Sequence, residues 1–146
     1  MALSGTLSVR TSLSNGITAD LSTPSESVNQ TITKTIASGV LYHDTYALAS
    51  GETLALNFGN DSLDDVFGNS IVMAVVTGVY IKAGADNTVD LNVSTGATPI
   101  FGDLPALSAG EGFGYLADID TSTNSILYID NGAASGSVDI IVCGTE

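Results

Sequence analysis

Residues 71–76 read Ile71-Val72-Met73-Ala74-Val75-Val76. Alternation places Ile71, Met73 and Val75 on one side and Val72, Ala74 and Val76 on the other, and both sides are apolar. A strand with two apolar faces needs cover on both, so this run predicts a strand in the middle of a sheet. It lies in the stretch Ser62–Lys82, which opens with a polar turn, Asp64-Asp65-Val66-Phe67-Gly68. The expected central strand runs from Ser70 to Lys82, with Gly78 as a bulge or bend. Ser62 followed three residues later by Asp65, with Gly68 behind, predicts a single capped helical turn over Leu63–Phe67.

Strand signals recur on both sides of this stretch. Val28–Ile36 puts Val28, Ile32 and Ile36 on one side and Thr31, Thr33 and Thr35 on the other, and Gly39 is expected to break it. Val40–Leu48 follows, with Tyr42 and Tyr46 on one face. Thr53–Phe58 turns Leu54, Leu56 and Phe58 inward. Val89, Leu91 and Val93 alternate with Thr88, Asp90 and Asn92, a strand with one wet face. Ala97–Phe101 carries Pro99 and suits an edge strand or loop, and Gly102–Gly110, with Pro105, reads as a loop. Gly112–Ala117, Ser125–Asp130 and Ser137–Cys143 are the last three strands. Gly, Asn, Asp and Pro turns separate all of these, and no segment holds a helical period beyond one or two turns.

Nine or ten short strands in 146 residues predict one all-β domain, a β-sandwich with a jelly-roll-like order of eight core strands. An immunoglobulin-like sandwich is the rival, and its Cys…Trp…Cys hallmark is missing. Residues 1–27 differ in character from residues 28–146, which form the expected single domain. Ser and Thr fill 14 of the first 35 positions, and Leu3, Leu7, Val9, Leu13, Ile17 and Leu21 are scattered among them. Asn15-Gly16 is a turn signal. The segment reads as a polar extended arm with one or two short strands, able to pair along its own sheet edge or on a neighbouring subunit.

Composition narrows the function. Three Lys and Arg (Arg10, Lys34, Lys82) stand against 16 Asp and Glu, a net charge of -13. Nucleic-acid binding needs several cations on phosphates, and an anionic membrane repels such a chain. The single cysteine, Cys143, forbids an intrachain disulfide. Met1–Gly5 shows no basic start and no apolar run of seven, so the cytosol is the expected site of synthesis.

No catalytic constellation emerges. His43 is the only histidine and sits mid-strand, opposite in phase to Tyr42, where a surface or half-buried strand role is expected rather than a general base. Cys143 shares a side with Ile141 on the last strand and is expected to be buried. A zinc site wants several Cys or His. Gly110-Glu111-Gly112-Phe113-Gly114 has no following Lys, so it is a turn entering a strand and not a phosphate loop. Asp118, Asp120, Ser122 and Asn124 alternate as calcium ligands do, yet Thr123 stands where the loop needs Gly and Ile129 where it needs Glu. Asp118, Asp120 and Asn124 are the metal candidates, with an Asp/Ser/Thr/Asn-rich hairpin turn as the plainer reading. Sugar binding on a β-sandwich leans on exposed aromatics, and the chain has no Trp.

One resemblance extends over residues 40–144. Its pieces are Ala47-Leu48-Ala49-Ser50-Gly51-Glu52-Thr53-Leu54-Ala55-Leu56, then Asp65-Val66-Phe67-Gly68 with the apolar run after it. Leu107-Ser108-Ala109-Gly110-Glu111, Ile126-Leu127-Tyr128-Ile129-Asp130-Asn131 and Val138-Asp139-Ile140-Ile141-Val142-Cys143-Gly144 complete it. In this order they resemble the small β-sandwich structural proteins of tailed-bacteriophage heads, among them capsid decoration or cement proteins. The resemblance implies a non-enzymatic virion protein on the capsid exterior, assembled in the host cytoplasm and commonly a homotrimer. It implies the major capsid protein as partner, no cofactor, and a shell stabilised against genome pressure. The alternative expectation is a carbohydrate- or receptor-binding module of a phage fibre or cell surface, calcium-dependent through Asp118 and Asp120. An enzyme of cupin type needs several His ligands, where this chain has His43 alone.

Overall fold

The computed structural model describes residues 3–15, 26–60, 62–93, 100 and 104–146. Ten strands follow in order: β1 Leu3–Asn15, β2 Glu26–Leu48, β3 Glu52–Asn57, β4 Leu63–Asp64, β5 Ser70–Ile71, β6 Val75–Ala83, β7 Asn92–Val93, β8 Gly112–Asp120, β9 Ile126–Asn131 and β10 Gly136–Thr145. No helix occurs among the described residues. All pairings are antiparallel.

The pairings are nested. The first strand of the body meets the last, β2 with β10. The next meets the penultimate, β3 with β9, and β6 meets β8. Innermost, Leu91 bridges Leu107, and the Leu104 amide donates to the Val93 carbonyl. A chain that pairs with itself from the ends inward and then rolls into two sheets is a jelly roll, the order expected from the sequence. One sheet runs β2-β10-β6-β8, with β1 beyond β2; the other runs β3-β9-β7, with Leu104–Leu107 beside it. Strands β4 and β5 make a separate two-stranded hairpin.

The core fills the space between the sheets, and period-two alternation selects it. Leu127 and Ile129 of β9, Val138, Ile140 and Val142 of β10, and Val79 and Ile81 of β6 are all buried. Tyr42 and Phe58 meet edge to face across it, with ring centroids 5.4 Å apart. Each such aliphatic side chain contributes roughly 1.5–3 kcal/mol by leaving water. Buried Asn131 closes one end of the core: its side-chain amide donates to the carbonyls of Leu48 (3.2 Å), Ala49 (3.1 Å) and Ala134 (2.6 Å). Asn87 acts similarly on β10, accepting from the Ser137 amide at 2.8 Å and donating to its carbonyl at 3.0 Å.

Two of the resembling pieces are one turn used twice. In Ala49-Ser50-Gly51-Glu52 the Glu52 amide donates to the Ala49 carbonyl, and the Glu52 carboxylate accepts from the Ala49 amide at 2.6 Å. In Ser108-Ala109-Gly110-Glu111 the Glu111 amide donates to the Ser108 carbonyl, and the carboxylate accepts from the Ser108 amide at 2.9 Å. Gly51 (φ 72°) and Gly110 (φ 75°) supply the left-handed residue that each turn requires.

The opening apolar run departs from expectation. It is not one strand: β5 ends at Ile71, β6 begins at Val75, and residues 72–74 form the crossing between them. There the Met73 amide donates to the Phe58 carbonyl and the Ala74 amide to the Thr145 carbonyl, so the chain passes from the second sheet side to the first. Ile71 and Met73 are buried on one phase and Val76 on the other, while Val72 stays exposed. Two apolar phases arise from a change of phase at a crossing rather than from one doubly covered strand. The central position falls to Val75–Ala83, between β10 and β8, with the register shift at Val76/Gly78 that Gly78 signalled. The helical turn over Leu63–Phe67 is also absent. Leu63–Asp64 pairs with Ser70–Ile71, and Asp65 organises a hairpin turn instead of capping a helix. Gly39 does not end a strand, because β2 runs unbroken through it. Ala97–Phe101 lies outside the described residues except for buried Ile100.

Ile81→Ala empties a fully buried site and is expected to lower urea unfolding stability by about 2–5 kcal/mol. Gly110→Ala, forced into the left-handed region, should cost about 1–2 kcal/mol without changing the m-value. Equal stability of either variant with the parent would contradict the packing or the turn.

Candidate interaction surface

Strand β2 is 23 residues long and belongs to two structures. Val40–Leu48 pairs with β10 in the body. Glu26–Gly39 pairs with β1, from Leu3 opposite Gly39 to Asn15 opposite Glu26. The partner changes between adjacent residues, so β1 takes up the ladder where β10 leaves it. Thirteen residues at about 3.3 Å each give this hairpin arm a length of about 43 Å.

Its register sorts the residues by chemistry. Residues directly opposite in an antiparallel pair share a face. Leu13 stands opposite Val28, Val9 opposite Ile32, Leu7 opposite Lys34 and Gly5 opposite Ile36. The alternate pairs are Thr6–Thr35, Ser8–Thr33, Arg10–Thr31, Ser12–Asn29 and Ser14–Ser27. The first series also includes Thr11–Gln30 and Asn15–Glu26, so it mixes apolar positions with polar ones and one charge of each sign, whereas the second is hydroxyl and amide with a single cation. Leu3, Leu7, Val9 and Leu13 thus occupy odd positions of one strand. The scattered reading of the sequence missed this period because Gly5 and Thr11 interrupt it. Ile32 is 63% exposed.

A second exposed apolar region lies where the arm leaves the body. The turn of the β4–β5 hairpin carries Val66 (43% exposed) and Phe67 (62%), and Val72 (38%) follows β5. The Val66 amide donates to the carbonyl of Leu41, two residues from Gly39. Val72, Ser70, Ala74 and Glu146 line an open cavity of about 380 Å³ beside the end of β10. Asp65 holds the turn rigid: one carboxylate oxygen accepts from the amides of Phe67 and Asn69, each at 2.8 Å. The Asn69 amide hydrogen bond, with smaller help from the Asn69 side chain and the Phe67 amide, lowers the Asp65 pKa below the usual carboxylate range. Phe67 is therefore presented to solvent on a fixed turn.

The residues singled out for chemistry stand apart. His43 is exposed on the outer face of the large sheet, and its Nε2 meets Asp139 Oδ1 at 2.9 Å. Thr45 Oγ1 donates to the same oxygen at 3.0 Å. Both groups converge on Asp139 rather than on each other, so no hydroxyl-to-imidazole relay is formed. Cys143 is buried, with its thiol directed to the Gly78 carbonyl at 3.5 Å. Tyr42 and Tyr46 share a face, and their hydroxyls hydrogen-bond to each other. Burial, then that bond, pushes the Tyr42 phenol far above its ordinary range, and burial raises Tyr46 as well. Asp118 and Asp120 lie on β8, and Asn124 is exposed in the turn that follows. Asp120 accepts from the Ser122 amide at 2.8 Å, which lowers its pKa, so its carboxylate serves the turn. Among the described residues, no group of three or more His, Cys, Asp and Glu is placed to hold a metal ion.

A scan of protein-family models and a search of curated proteins found no match to this chain.

Because the folded state favours the Asp65 carboxylate, the order of the β4–β5 turn is present above the ordinary Asp value near 3.9. It should be lost as pH falls through the lowered folded value. An NMR titration of the Asp65 carboxyl is expected to give a midpoint below that of a model peptide. A midpoint at or above the peptide value would contradict the turn geometry.

Proposed function

We propose that this chain is a non-enzymatic structural protein of a phage virion, a decoration protein that binds the outer capsid surface and stabilises the shell. The observation that carries the reading is the combination of a jelly-roll body with a hairpin arm more than twice as long as a typical strand of about 5–6 residues. An arm of this length is surplus to the body's own core and is suited to contacts with other molecules. The resembling sequence pieces support the reading: most fall on the scaffold of β3, the two Gly-Glu turns, β9 and β10, and Asp65–Gly68 falls on the exposed β4–β5 turn. Among the described residues, His43 and Cys143 stand in surroundings that suit structure rather than chemistry. An acidic body exposes little that attracts nucleic acid during packaging. In this reading the arm and the adjoining end of the sandwich meet the major capsid protein, and the decoration unit is a homotrimer.

Incubation of purified protein with undecorated capsids should give co-sedimentation at a fixed stoichiometry and a higher capsid disruption temperature. Protein that stays in the supernatant would overturn the reading. Removal of residues 1–27 should abolish binding while leaving the far-ultraviolet spectrum of the body β-rich.

A further inference from the structure

Asn131 is fully buried at the end of β9, and the residue after it is Gly132. Asn-Gly is the dipeptide most open to attack on an asparagine side chain, because glycine has no Cβ to shield the backbone nitrogen that attacks. The sequence holds two such pairs, Asn15-Gly16 and Asn131-Gly132. The fold does not call for glycine at the second. Gly132 lacks the left-handed φ of Gly51, Gly68 and Gly110, and a Cβ added to it would meet nothing within 4 Å.

The folded chain holds the Asn131 side chain away from this chemistry. Its Nδ2 donates to the carbonyls of Leu48, Ala49 and Ala134, at 3.2, 3.1 and 2.6 Å. Its own carbonyl accepts from the Gly51 amide at 3.2 Å, and the residue stands opposite Glu52 in the β3–β9 ladder. Attack by the Gly132 nitrogen needs Cγ to swing onto the neighbouring backbone, and so needs these bonds to break. The product suits the same site poorly. An aspartate there sets a carboxylate oxygen, which only accepts, against the three carbonyl oxygens that Nδ2 serves, in a site closed to solvent. Among the described residues Asn131 Oδ1 has no hydrogen-bond donor, so the other carboxylate oxygen finds none either.

We propose that Asn131-Gly132 is a deamidation site of the unfolded chain, shielded in the native fold, and that modification there bars return to that fold. In the unfolded chain a base in solution removes the Gly132 amide proton, and the nitrogen attacks Asn131 Cγ. The new N–Cγ bond forms, the Cγ–Nδ2 bond breaks, and Nδ2 takes a proton from water and leaves as ammonia. The result is a succinimide. Water then opens the ring at either carbonyl. One opening breaks the new N–Cγ bond and leaves aspartate. The other breaks the original peptide bond and leaves isoaspartate, which adds a main-chain carbon where residue 131 pairs with Glu52. Each excursion to the unfolded state thus removes some chains for good, and the lifetime of the protein is set by how rarely this end of the core opens. The proposal needs no capsid, so its failure leaves the shell-binding reading untouched.

Peptide mapping by mass spectrometry tests it on the full chain, aged in mildly alkaline buffer with and without guanidinium chloride. Asn15-Gly16 supplies the reference rate of an Asn-Gly pair in the same unfolded chain. In the denaturant Asn131 is expected to deamidate at a rate comparable to Asn15, and in native buffer at least about tenfold more slowly than in the denaturant. After the denaturant is removed, the refolded fraction should be depleted of chains modified at residue 131. Gly132→Ala adds a Cβ beside the attacking nitrogen. It is expected to keep the parent's urea midpoint and to refold fully after the same ageing. Asn131→Asp, the product made directly, should unfold at lower urea or fail to fold. Native Asn131 that reacts as fast as in the denaturant would overturn the proposal. So would aged Gly132→Ala chains that lose refolding as the parent does, or an Asn131→Asp chain with the parent's urea midpoint.

Discussion

The molecule depends on one strand doing two jobs. β2 gives Val40–Leu48 to β10 and Glu26–Gly39 to β1. Backbone hydrogen bonds continue across the hand-over, so arm and body share one ladder and no flexible linker separates them. A linker would leave the arm's direction free and make any contact pay for ordering it. A continuous strand sets that direction in advance. The nested jelly-roll pairing matters for the same reason, because it places β10, with the C-terminal residues, and the β4–β5 turn around the root of the arm.

Division of labour follows. The body concentrates its apolar side chains between two sheets and its acids outside them, and buried Asn131 and Asn87 tie the backbone of strand ends and turns at one end. Residues 1–39 carry no net charge, and the arm's register gathers hydroxyl and amide residues on one side and Leu7, Val9, Leu13, Val28, Ile32 and Ile36 on the other, together with Lys34, Glu26 and polar pairs. Large exposed apolar groups on the body include Val66, Phe67 and Val72 at the arm's root. Contiguous exposed apolar surface on a soluble domain marks places where something else sits.

Much of the body was legible in the sequence. Strands β3, β8, β9 and β10 appear within a few residues of their expected positions, because each alternates and ends at a Gly, Asn or Asp turn. The inward set Leu56, Phe58, Leu91 and Val93 came from the same period. The run Ile71–Val76 misled because composition cannot tell a doubly buried strand from a crossing that buries both phases in turn. The Asp65 turn misled because an Asp oxygen that accepts from amides two and four residues on resembles a helix cap in sequence. The arm's period was hidden by Gly5 and Thr11, and its length by Gly39, a residue that usually ends a strand and here marks a change of partner. The exposure of Phe67 leaves no mark in the sequence, since an aromatic beside a valine reads equally well as core.

The central proposal is that this chain acts from the outside of a shell through its hairpin arm. A cryo-electron-microscopy difference map between decorated and bare capsids tests it most directly. The account predicts added density on the outer surface, with a compact body and an elongated arm about 40 Å long that reaches beyond it. Density confined to the capsid interior or tail, or none at all, would contradict it.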